Sequence, residues 1–185
     1  MHVFITNGLI SLSKTNITIL EIGFGTGLNA ILSYEKALQE NLTIKYIGLE
    51  LYPLSSEIIA SLNYGSILKA ESSIAFKKMH QLPWNKEADV SSFFTINKIN
   101  ADLNIYEFTE KFDLVYFDAF GPDVQPEMWS TTNFSKIFNA LNKDGILVTY
   151  SSKGLVKRNL RDAGFIVQRL QGPPGKRHML RALKA

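Results

Sequence analysis

The sequence predicts an α/β fold, doubly wound around a mostly parallel, seven-stranded sheet whose last strand runs antiparallel. Three observations lead there. Short β-rich apolar runs alternate with segments of helical periodicity, the pattern of successive βαβ units. One run, residues 112–118 (Phe-Asp-Leu-Val-Tyr-Phe-Asp), is almost continuously apolar, as a central strand buried on both faces has to be. The chain has 185 residues, 45% hydrophobic and 20% charged, which suits one domain spanning 1–185.

The elements follow in order. Residues 17–22 form the first strand, broken by Gly23-Phe24-Gly25-Thr26-Gly27. A helix is expected over 28–40, with Leu28, Ile31, Leu32 and Leu38 near helical spacing. Residues 44–49 are the second strand, ending in Glu50, and Pro53 with Ser55 and Ser56 opens a helix to about Asn63, with Gly65 at its exit. For residues 71–90 the expectation is a helix and a loop over the carboxyl edge of the sheet. Strands are expected at 93–99, 112–118 and 146–150, the last entered through a Lys143-Asp144-Gly145 turn from a helix over 134–141. A helix over 153–163 ends at Gly164, a residue suited to a left-handed helix exit. Residues 165–170 and 179–183 pair as the last two strands around Gly172-Pro173-Pro174-Gly175.

Several classes of chemistry are excluded or disfavoured by composition. There is no cysteine, so disulfides, thiolate metal sites and a cysteine nucleophile are ruled out. His2, His80 and His178 lack metal-ligand spacing, and no metal is expected. No apolar run approaches the ~20 residues that span a bilayer, and the N-terminus has no signal-peptide pattern. A soluble cytoplasmic protein with no membrane partner is the expectation. The net charge of +3 hides an asymmetry. From Tyr150 onward there are nine lysines and arginines against one acid, Asp162, so the preceding residues are net acidic. That distribution suggests a polyanionic partner meeting the C-terminal part.

The glycine turn carries the next inference. G-x-G-x-G after a strand and before a helix requires a tight turn and close approach of a ligand, and glycine permits both. It is not the G-x-G-x-x-G spacing with which a helix start receives a dinucleotide pyrophosphate. Glu21, two residues ahead, places negative charge where an amino-acid ammonium would lie, which points to S-adenosylmethionine (SAM). Glu50, at the end of the second strand, suits the two ribose hydroxyls of an adenosine. Asp102, after the third strand, is a candidate for the adenine amino group. Asp118 closes the fourth strand, at the same carboxyl edge where open α/β sheets bind ligands, and it is the candidate to hydrogen-bond an amine substrate. Phe120 is placed to stack on a base or to wall a cation.

Three strings then carry a resemblance: Leu20-Glu-Ile-Gly-Phe-Gly-Thr-Gly-Leu-Asn29; Asp118-Ala-Phe-Gly-Pro122 with Pro126-Glu-Met-Trp129; and Gly175-Lys-Arg-His-Met179. Together they resemble the methyltransferase module of the bacterial enzyme that makes 5-methylaminomethyl-2-thiouridine in tRNA, and the likeness runs from about Val3 to Arg181. The resemblance implies a Rossmann-like class I methyltransferase fold, SAM as methyl donor, and N-methylation of 5-aminomethyl-(2-thio)uridine at the wobble position of the tRNA anticodon stem-loop. By it, Glu21, Gly23, Phe24, Gly25, Gly27, Leu28, Asn29, Glu50, Asp102 and Asp118 would serve the cofactor, and Asp118 and Phe120 would hold the aminomethyl-uridine. Pro122, Pro126 and Trp129 would shape the entrance, and Lys176 and Arg177 would approach the tRNA backbone. The family's further N-terminal stretch and the FAD-dependent oxidase domain of its bifunctional form are not expected here. Two alternatives stand beside this reading: a SAM-dependent or aminopropyl transferase acting on a small amine, and a catalytically impaired homologue that binds tRNA or a partner.

Overall fold

The computed structural model describes residues 1–64 and 67–185. Gly65, the expected helix exit, lies outside the described residues. Eight strands among those residues form one mixed sheet in the order β3-β4-β2-β1-β5-β6-β8-β7. They are β1 (Asn16–Ile22), β2 (Thr43–Glu50), β3 (Glu87–Ser91), β4 (Phe94–Asn100), β5 (Phe112–Phe117), β6 (Leu141–Thr149), β7 (Ile166–Gln171) and β8 (His178–Leu183). The five central strands, β4-β2-β1-β5-β6, run parallel. β3 pairs antiparallel with β4, and β8 lies antiparallel between β6 and β7.

Helices cover both faces, so the doubly wound expectation holds. On one face, α1 (Leu28–Glu40), α3 (Ala70–Gln81) and the turns at His2–Thr6 and Leu9–Ser11 bury a core built on Phe24, Ile31, Tyr46, Phe76, Met79 and Phe94. On the other, α4 (Thr131–Ala140) and α5 (Gly154–Asp162) close over Phe117, Trp129, Phe134, Leu147 and Leu160. The short α2 (Ser56–Ser61) is capped by Ser55, whose hydroxyl accepts from the Ile58 amide. All six residues of β5 are buried, which is why its sequence is apolar without alternation.

Two segments differ from the sequence expectation. The sheet has eight strands rather than seven, because β3 adds a short edge hairpin to β4. It buries only Val90 well, and its exposed Glu87 and Asp89 give it no apolar run to read. The residues before it form α3, which packs against α1 in the core and brings its last turn, at His80, to the glycine turn at the carboxyl edge. β6 starts at Leu141, so Lys143-Asp144-Gly145 lies within the strand as an irregularity: its register with β5 shifts there, and Asp144 takes φ +61°.

β1 is the switch point. From it the parallel strands proceed through β2 and β4 on one side and through β5 and β6 on the other. A crevice opens there at the carboxyl ends of the strands.

Candidate active site

The crevice is a cavity of about 470 Å³, within the size range of small-molecule sites. Its wall includes Glu21, Gly23–Asn29 apart from Gly27, Glu50, Asp102, Asp118, Phe120, Gln125, Met128 and Tyr150. The sequence motifs at the ends of β1, β2, β4 and β5 therefore meet in one place.

The glycine turn is pinned to both neighbouring strands. The Gly23 and Phe24 amides donate to the Leu49 carbonyl of β2, at 2.9 and 3.2 Å. On the other side the Asp118 amide donates to the Ile22 carbonyl at 2.9 Å. Gly23 has φ +88°, and a Cβ there would stand 2.8 Å from the Asp118 carbonyl oxygen, so only glycine fits between the strands. At Gly25 (φ +50°) a Cβ would meet nothing within 4 Å. That open space at the cavity wall is the cradle a ligand would fill. Phe24 contributes its backbone to the wall and buries its ring in the core, where it lies against Gly48 and edge-on to Trp84 and His80.

Glu50 is held by two backbone donors. Oε2 accepts from the Gly25 amide at 3.0 Å and Oε1 from the Tyr52 amide at 2.9 Å. Each oxygen keeps a second lone pair for a hydroxyl donor. Among the described residues no cation pairs with Glu50. Asp102 lies on the cavity wall with Oδ1 accepting from the Asn104 amide and side chain, both at 2.8 Å.

Glu21, Asn29 and Asp118 form a chain at the opposite end. Glu21 is only 1% exposed. Its Oε1 accepts from Asn29 Nδ2 at 2.8 Å and its Oε2 from the Tyr46 hydroxyl at 2.7 Å. Asn29 Nδ2 also donates to Asp118 Oδ2 at 2.9 Å. Burial pushes the Glu21 carboxyl up to about 8, outweighing its two hydrogen bonds. Burial likewise pushes Asp118 up to about 6, opposed by the Asn29 bond and by the positive charges of Lys176 and the Met1 ammonium. At neutral pH Glu21 therefore keeps its proton while Asp118 is mostly ionised.

The substrate-side candidates divide. Phe120 is 68% exposed at the cavity wall. Pro126, also exposed, starts the turn Pro126–Trp129. Pro122 and Trp129 are buried, the latter completely. Neither presents its side chain at the entrance, so any shaping they do is indirect. The Trp129 ring packs on Phe117, Phe134 and Tyr150, and its indole Nε1 donates to the Phe120 carbonyl at 2.8 Å. It shapes the loop from beneath. Lys176 and Arg177 are exposed in the β7–β8 turn, at the same rim, with the Lys176 ammonium 4.3 Å from the centre of the Tyr150 ring.

Sequence reasoning missed four side chains. Tyr46 bonds Glu21 from β2, and Tyr150, at the end of β6, bonds the Ala119 carbonyl at 2.8 Å. His80 Nε2 lies 3.2 Å from the Thr26 carbonyl, tying α3 to the glycine turn, and the Tyr64 hydroxyl bonds Thr26 Oγ1 at 2.9 Å. Tyr46 carried a signal, since it sits in the buried register of β2. Among the described residues no group of three or more metal-ligating side chains occurs, and no helix is long and apolar enough to cross a membrane.

These residues fit SAM. A carboxylate at one end offers acceptors to ribose hydroxyls, apolar Leu49, Leu51, Ala101 and Leu103 flank it for an adenine, and the Glu21–Asn29–Asp118 chain supplies acceptors at the other end.

The comparisons agree. The chain is 29% identical over 208 residues to the tRNA 5-methylaminomethyl-2-thiouridine biosynthesis bifunctional protein MnmC of Pseudoalteromonas atlantica, matching all of this chain and 29% of that protein. The protein of the same name from Legionella pneumophila is 29% identical over 190 residues, covering 91% of this chain and 28% of its own length. The chain thus spans less than a third of the length of these curated relatives. Among solved structures, MnmC2 from Aquifex aeolicus superposes with a TM-score of 0.70 at 23% identity, covering 91% of this chain and 53% of that one. SAM-bound CalS10, an amino pentose methyltransferase from Micromonospora echinaspora, gives 0.55 at 13% identity over 91% of this chain and 84% of its own. Both show the class I methyltransferase fold. A family model described as S-adenosyl-L-methionine-dependent methyltransferase matches residues 67–185, more than half of the chain. The chain therefore belongs to the S-adenosyl-L-methionine-dependent methyltransferase family.

Proposed function

We propose that residues 1–185 act as one cytoplasmic methyltransferase unit that N-methylates 5-aminomethyl-(2-thio)uridine at the tRNA wobble position, giving the 5-methylaminomethyl form. The observation that carries the reading is Asp118: a half-buried carboxyl group on the same rim as the glycine turn and beside an exposed aromatic ring. The names of the curated relatives support the substrate.

Bound SAM supplies an electrophilic methyl group on a sulfonium. The protein's part is to align a neutral amine with it and to keep water out, the kind of positioning from which much of a displacement's rate comes. Asp118 accepts a hydrogen bond from the amine N–H, which leaves the nitrogen lone pair free to be aimed. As the new N–C bond forms, the methyl's bond to sulfur would break with its electron pair left on sulfur, and the positive charge gained by the nitrogen would be stabilised by the Asp118 carboxylate that accepts its N–H, the proton leaving to solvent afterwards. Phe120 offers a face on which an unstacked uracil can rest. Lys176 and Arg177 attract backbone phosphates without regard to sequence.

The test is methyl transfer to tRNA that carries the aminomethyl group, read by mass spectrometry of its nucleosides, with spermidine and putrescine in parallel reactions. One added methyl on the wobble uridine is expected, lost in Asp118→Ala while SAM still binds. Methylation of a polyamine but not of the tRNA overturns the reading.

A further inference from the structure

Asn29 is the second residue of α1 and is buried, which is an unusual place for an amide. Its Nδ2 has two hydrogens, and both are committed to carboxyl oxygens: one to Glu21 Oε1 at 2.8 Å and one to Asp118 Oδ2 at 2.9 Å. Glu21 is in turn fixed from behind by the Tyr46 hydroxyl at 2.7 Å, and Tyr46 is itself fully buried. The chain Tyr46–Glu21–Asn29–Asp118 therefore runs from the core of the sheet to the cavity, crossing β2, β1 and α1 to reach the end of β5. Among the described residues no donor meets Asp118 Oδ1. We infer that Asn29 is the positioning residue for Asp118, holding Oδ2 so that Oδ1 is the oxygen presented to the substrate amine.

This rests on the proposed amine methylation and deepens it. As the N–C bond forms and the methyl's bond to sulfur breaks, its electron pair staying on sulfur, the nitrogen gains positive charge, and the orientation of Oδ1 decides whether the N–H it carries has a charged acceptor. A free carboxylate rotates about its Cβ–Cγ bond and offers either oxygen. With one oxygen held by an amide that is itself held by Glu21, rotation is blocked. The same bond favours the charged form of Asp118. The other titratable groups acting there are Glu21 from β1, Tyr150 from β6, Lys176 from the β7–β8 turn and the Met1 ammonium.

Two measurements test the link. In the unsubstituted protein, without SAM or tRNA, the Asn29 side-chain amide proton resonances should titrate together with the Asp118 carboxyl carbon. A flat Asn29 profile through the Asp118 midpoint overturns the inference. In Asn29→Leu, or in Asn29→Ala if the leucine variant does not fold, the Asp118 midpoint should rise by about one pH unit. At saturating SAM, kcat should fall about tenfold to a hundredfold while KM for tRNA changes less than about twofold. A residue that merely supports the fold would lower the melting temperature and leave the Asp118 titration in place, and that result also overturns the inference. Failure of the wild-type protein to methylate tRNA would sink the proposed substrate, whereas the two titrations report on Asn29 regardless.

Discussion

Replacing Glu21 with glutamine should change how the stability of this protein depends on pH. Glu21 is buried and bonded on both oxygens, and burial lifts its carboxyl from the ordinary 4.5 to about 8. The folded protein thus binds this proton more tightly than the unfolded chain does. The associated stability is fully present below about pH 4.5 and is lost as pH rises through about 8. The rise from 4.5 to about 8 corresponds to about 5 kcal/mol at 1.36 kcal/mol for each tenfold change in proton affinity. Glutamine keeps the shape of the protonated acid and does not titrate. Urea unfolding of both proteins between pH 4.5 and 8.5 should show the wild type losing stability relative to Glu21→Gln across that window. Asp118 contributes to both curves alike, apart from its coupling to Glu21. Parallel curves would refute the argument that this carboxyl is folded in its neutral form.

Three substitutions separate folding from binding. Gly23→Ala should cost about 2 kcal/mol, because its Cβ meets the Asp118 carbonyl at 2.8 Å on a φ of +88°. Gly25→Ala has free space around its Cβ, so it should lower SAM affinity by calorimetry while costing only the about 1–2 kcal/mol of a left-handed backbone. Phe120→Ala should raise KM for tRNA about tenfold through lost stacking, with stability changed by less than about 0.5 kcal/mol because the ring is exposed. Equal losses of stability in all three would contradict this division.

How much of this was legible depended on whether a feature is local. α1 runs over the expected residues because left-handed Gly27 and Asn41 bracket it, and both residue types announce such ends. β5 announced itself because a strand buried on both faces is apolar throughout. Glu21, Glu50 and Asp118 were readable as strand-end acids, since their positions follow from the register of single strands. What escaped depends on relations between elements. β3 is a polar edge strand with no periodicity strong enough to separate it from a loop. Trp129 looked like an entrance residue beside Pro126, yet the loop folds its ring inward onto Phe117 and Phe134. The Asn29 bonds depend on the phase of α1 after the glycine turn. The His80 contact joins two segments 54 residues apart, and no local pattern encodes such a pairing.

SAM is expected to lie across the glycine turn between Glu50 and Asp118. Backbone amide shifts during a SAM titration, followed by NMR, test it most directly. The largest and saturable changes are expected at Gly23, Gly25, Thr26, Glu50, Tyr52 and Asp118, and Glu50→Ala should weaken them about tenfold or more in affinity. Saturable shifts clustered elsewhere, or none at millimolar SAM, would contradict it.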